Sequence, residues 1–87
     1  MRVEVLLFGG AALAAKADLA VVEVAGDASD VTVRDVLAAL HDQHPALKFA
    51  LPPPESGRLA VNQAFAKGDH AIRPDDEVAL VRLVGGG

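Results

Sequence analysis

One segment of this chain carries an apolar stripe at helical spacing and is long enough to need a surface to bury it. After Thr32, the residues Val33, Val36, Leu37 and Leu40 follow at offsets of three, one and three. Thr32 with Asp35 three positions on has the pattern of a capping box, and Pro45 ends the helix. Such a stripe is stable only when laid against another element. The rest of the chain offers strands for that purpose.

Arg2 to Phe8 alternates, with Val3, Val5 and Leu7 on one side and Arg2, Glu4, Leu6 and Phe8 on the other, so it is predicted as the first strand. Gly9-Gly10 stops it, and the alanine-rich stretch Ala11 to Lys16 favours a short helix. Leu19 to Val24 is β-branched and ends in the turn composition Ala25-Gly26-Asp27, which predicts a second strand. Residues 45–57, with Pro52-Pro53-Pro54 and Ser56-Gly57, are expected to form a stiff, partly extended connection with no core of its own. Arg58 to Asn62 alternates again, Asn62-Gln63 begins a turn, and a short extended piece covers Ala64 to Ala66. After the turns Lys67-Gly68-Asp69 and Arg73-Pro74-Asp75-Asp76, Glu77 to Leu83 makes the last strand. The order predicts an α+β domain, a mixed sheet covered on one face by a main helix. No internal repeat or boundary divides it, so residues 1–87 are expected to be a single domain ending in a flexible tail, 84–87.

At 87 residues the fold hides only about 60 to 65% of its unfolded surface, so the core is thin and built from Val, Leu and Ala. Zero cysteine removes disulfides, thiolate metal sites and cysteine nucleophiles together. A net charge of -4, no Lys/Arg cluster and 3% aromatic residues argue against nucleic acid and anionic membrane and favour a partner with a basic surface. No apolar run approaches the ~18 residues of a membrane span, and the chain starts directly in a strand pattern. A cytoplasmic address is expected.

The residue types that carry chemistry are sparse. His41 and His44 lie three apart near the helix end, where cations are favoured anyway, and a metal site needs further ligands, so no metal is predicted. Gly9-Gly10 lacks the remaining parts of a phosphate-binding loop. Asp75, Asp76 and Glu77 are consecutive in a turn and are not a general acid/base pair, and Ser29, Thr32 and Ser56 sit at turn or cap signals. The chain is not expected to be an enzyme on its own.

Two features remain. The last strand runs almost directly into Gly85-Gly86-Gly87. This is either a frayed end or a side-chain-free thread for a narrow site on another protein, and Val84 to Gly87 span about 13 Å at ~3.3 Å per residue. The second feature is apolar: if Val3, Val5, Leu7, Val78 and Leu80 face the core, then Leu6, Phe8, Ala79, Val81 and Leu83 face away from it. Should the first and last strands be neighbours, Leu6, Phe8, Val81 and Leu83 form one exposed patch beside the tail, a partner-binding surface unless the proline segment or a second copy of the chain covers it.

The element order, together with Val61-Asn62-Gln63, Asp69-His70, Asp76-Glu77-Val78-Ala79 and the terminal Gly86-Gly87, resembles the small subunit of molybdopterin synthase, a family of ubiquitin-like sulfur carriers. The similarity spans essentially the whole chain and is most specific in the last third. It implies a β-grasp fold and a reactive group at the carboxylate of Gly87. In that family a ubiquitin-activating-like adenylyltransferase consumes ATP to adenylate this carboxylate, which is then converted to a thiocarboxylate. The large synthase subunit receives the tail, and the sulfur passes to cyclic pyranopterin monophosphate in molybdenum cofactor biosynthesis. No cofactor is expected on the carrier itself. Carriers for thiamine or cysteine biosynthesis share this tail chemistry. The other classes left open are a lysine-conjugated modifier and a non-reactive β-grasp interaction module.

Overall fold

The computed structural model describes residues 1–26, 30–55 and 57–81. Five strands form one sheet: β1 (Arg2–Leu7), β2 (Leu19–Glu23), β3 (Arg58–Val61), β4 (Ala64–Lys67) and β5 (Val78–Leu80). Their order across the sheet is β2-β1-β5-β3-β4. The central pair, β1 with β5, is parallel, and the other pairs are antiparallel. Helix α2 (Val33–Gln43) lies against one face, and Val33, Val36, Leu37 and Leu40 are fully buried there with Val5, Val22, Leu59 and Val78. A mixed sheet with a parallel central pair under one main helix is the β-grasp fold, as expected.

The helix begins where its cap dictates. The Thr32 hydroxyl accepts from the Asp35 amide at 3.4 Å, and the Asp35 carboxylate accepts from the Thr32 amide at 3.0 Å. At its far end, Gln43 donates to the Glu23 carbonyl at 2.8 Å and accepts from the Glu23 amide at 3.0 Å, while the His44 Nε2 sits 2.8 Å from the Val21 carbonyl. Three outward backbone groups of edge strand β2, on Glu23 and Val21, are thereby satisfied by the end of α2.

Between β1 and β2 runs the short helix α1 (Gly9–Ala15), two residues earlier than the alanine pattern alone suggests. Gly9 takes φ +54°, so the chain turns from strand to helix in a single step open to glycine.

The proline-rich connection departs from expectation. Residues Pro45–Ala50 form a 3-10 helix, with Leu47 fully buried and Leu51 buried beside it. Pro45 presets the first turn, and two leucines four apart reach under α2, so the segment does contribute to the core. It is tied down by His41, whose Nε2 lies 2.8 Å from the Pro52 carbonyl. Its exit needs glycine, because a Cβ at Gly57 would stand 2.6 Å from the Pro53 oxygen.

The final strand is also shorter than predicted. Pairing covers Val78 to Leu80, Val81 follows outside the strand, and Arg82, Leu83 and the tail residues 84–87 lie outside the described residues.

Candidate functional site

The face of the sheet opposite α2 carries a row of residues whose register runs through every strand. Leu19 pairs with Leu6, Leu6 with Ala79, Ala79 with Ala60, and Ala60 with Phe65. The two alanines are recessed, whereas Leu19 and Phe65 are exposed and Leu6 is half-buried. Small residues in the middle and large ones at the rims make a shallow apolar trough.

Two residues further on, Phe8 and Val81 fall on the same face by alternation, Phe8 with 57% and Val81 with 39% of their surface exposed. Because β1 and β5 are parallel neighbours, these two residues stand at the same end of the sheet, the end from which the chain leaves β5. The condition for a contiguous patch is therefore met by Leu6, Phe8 and Val81. Leu83 and the glycines Gly85, Gly86 and Gly87 lie outside the described residues. Among the described residues, the proline segment is bound to α2 through His41 and its 3-10 helix packs on α1 and α2, on the helix side of the sheet.

Sequence reasoning missed Leu19 and Phe65, which complete the row, and Leu13 and Phe49, which are exposed near the same end on α1 and the 3-10 helix. Leu19 was legible only as a strand residue, since cross-strand register is not encoded in alternation alone.

A second cluster fixes where β5 begins. The Asn62 amide donates to the Glu77 carbonyl at 2.8 Å, and the Glu77 amide returns a bond to the Asn62 side-chain oxygen at 3.0 Å. The Asn62 side-chain nitrogen donates to Asp76 at 3.0 Å, and the other Asp76 oxygen accepts from the Arg73 amide at 2.9 Å. The Arg73 amide first, and then Asn62, hold the Asp76 carboxyl below its usual range. The motif Asn62-Gln63 with Asp76-Glu77 is thus a joint between the β3–β4 turn and the start of β5, and it aims the chain that follows.

His41 and His44 each turn Nε2 to a backbone carbonyl, which makes them fasteners between α2 and its neighbours. Among the described residues no three His, Cys, Asp or Glu side chains gather as a metal site, and no helix is long and apolar enough to cross a membrane.

Comparison with known proteins gives a consistent picture. The model of the ThiS family matches residues 5–87. The crystal structure of SAMP1 from Haloferax volcanii is similar at 32% sequence identity and a TM-score of 0.71, with 100% of each chain covered. A crystal structure of small archaeal modifier protein 1 from the same organism is similar at 31% identity and a TM-score of 0.68, covering 90% of this chain and 92% of that one. No curated protein gives a significant match.

Proposed function

This chain belongs to the ThiS family, and we propose from that premise that it is a ubiquitin-like sulfur carrier whose working group is the carboxylate of Gly87. The observation that carries the reading is that the family match extends to residue 87 and so includes the three glycines. Small carriers of this kind supply a reactive group to the sites of other proteins, which agrees with a chain whose open face is an apolar trough.

In this reading an activating enzyme binds the trough and the Phe8/Val81 end, and the Gly87 carboxylate attacks the α-phosphate of ATP. Pyrophosphate leaves and an acyl-adenylate forms. Sulfide released by a sulfur donor then attacks the acyl carbon, AMP departs with the bonding pair, and the chain ends in a thiocarboxylate, with no cysteine required of the carrier. Glycine at the last positions removes the Cβ atoms that a narrow site would exclude. For the acceptor we propose cyclic pyranopterin monophosphate, bound to a molybdopterin synthase large subunit, on the strength of the resemblance in residues 61–79.

Intact mass after incubation with the host's activating enzyme, ATP and a sulfur donor tests the reading. The full-length chain is expected to exchange one oxygen for sulfur, and a variant lacking Gly86 and Gly87 is expected to stay unchanged. Unmodified full-length chain, with the enzyme active on another carrier, would leave only a binding module. One observation favours a second reading: the fully covered structural neighbour is a small archaeal modifier protein. The same activated carboxylate would then acylate lysines, and isopeptide conjugates instead of free thioacid would identify it.

A further inference from the structure

Three cations stand at positions that electrostatics disfavours, and all three line one cleft. Arg58 on β3 and Lys67 on β4 are directly paired across the strands, both exposed, and like charges in that register destabilise a sheet. Arg34 occupies the first turn of α2, the end of a helix where the macrodipole disfavours positive charge. Its side chain crosses Gly68, where an added Cβ would lie 3.5 Å from it, and its amide donates to the Gly68 carbonyl at 2.9 Å. These residues, with Glu55 and Asp69, line a cleft at the β4 edge.

Among the described residues, no ion pair relieves the arrangement. Among the described residues the one salt bridge is Arg2 to Glu4 at 3.4 Å, on another part of the sheet. A chain with 12 acidic residues has carboxylates to spare, yet neither Glu55 nor Asp69 approaches a cation within salt-bridge distance. The cleft is also placed usefully. Ala60 pairs with Ala79 in antiparallel register, and continuing that register by two residues sets Arg58 beside Val81, at the end where the chain leaves β5.

We propose that Arg34, Arg58 and Lys67 receive a carboxylate-bearing segment of the enzyme that activates the tail, orienting the carrier as the tail is inserted. This rests on the carrier reading above and adds the chemistry of the partner's contact. The overall charge of -4 favours a basic partner. This edge reverses that preference locally, so the two signs together fix one orientation. A free polyanion fits less well, because Glu55 and Asp69 at the rim offset two of the three positive charges. Carboxylate side chains, each matched to one guanidinium or ammonium, fit the mixed rim.

The test is carrier-dependent ATP–pyrophosphate exchange by the host's activating enzyme, with wild-type chain, Arg58→Gln/Lys67→Gln and Arg58→Glu/Lys67→Glu. The charge reversal is expected to raise the KM for the carrier by about tenfold or more with kcat held within about twofold, and the wild-type KM should climb with salt while that of the neutral variant stays nearly flat. The neutral variant is expected to be at least as stable as wild type, since a like-charge pair is gone. Poorer KM in a chain no less stable is the signature a purely structural role would not give. Unchanged KM and salt dependence in both variants would overturn the proposal, as would a change confined to self-association, which would mean that these charges only keep the β4 edge from pairing with another copy. No exchange with wild-type chain would instead defeat the carrier reading, and this proposal with it.

Discussion

Gln63 is held at φ 70° and Asn62 at φ 53°, the pair of left-handed residues that a two-residue hairpin between Val61 and Ala64 demands. Asparagine accepts that conformation readily and glutamine does not, so Gln63→Gly is expected to stabilise the protein by about 0.5 to 1 kcal/mol, measured by urea unfolding. Asp76 gives a prediction with a pH sign. Its folded pKa lies below its ordinary value, so the folded state gains from the ionised form at pH values above that ordinary value, and the gain fades as pH falls through the lowered one. Asp76→Ala is expected to cost about 1 kcal/mol near pH 7, where two exposed hydrogen bonds are lost, and less at a pH low enough to protonate the wild-type carboxylate. An equal difference at both pH values would mean that the ionised carboxylate contributes nothing. From sequence, Asn62-Gln63 was legible as a turn and Asp76 as a turn acid. That the two residues clasp each other was not, because they are 14 positions apart and only the folded sheet brings them together.

Helix α2 was legible in full, since its cap, stripe and stop signals all agree. Thr32→Ala is expected to lower stability by about 1 kcal/mol through loss of the cap. The 3-10 helix was not legible: six residues that begin with a proline are too short a window for any period to show, and the three prolines that follow argue for an extended run. Yet Leu47 is as deeply buried as any residue of α2. Leu47→Ala is expected to cost about 2 to 5 kcal/mol, the range for a deleted core leucine, and a cost below about 1 kcal/mol would show the segment to be an accessory. The strands were read in their right places and only their ends moved, β5 most of all.

Over the whole molecule, alternation was enough to say which side chains share a face, and the neighbouring of β1 and β5 turned that into a patch. The row from Leu19 to Phe65 needed the register of four separate pairings, information that no local window contains. Phe8→Asp probes the patch with little harm to the fold, because the residue is more than half exposed and makes no side-chain cap for α1. Stability is expected to stay within about 0.5 kcal/mol while activation by the partner enzyme falls, read as the loss of pyrophosphate exchange at fixed carrier concentration. Activation equal to wild type would remove Phe8 from the docking face. The parallel pairing of β1 with β5 has a mechanical consequence as well. When the tail is gripped and the opposite end of the chain is held, the load runs along both central strands in opposite senses. Their hydrogen bonds then share it in shear and do not open one after another like a zipper, so a pull between the two ends meets the fold in its more resistant direction.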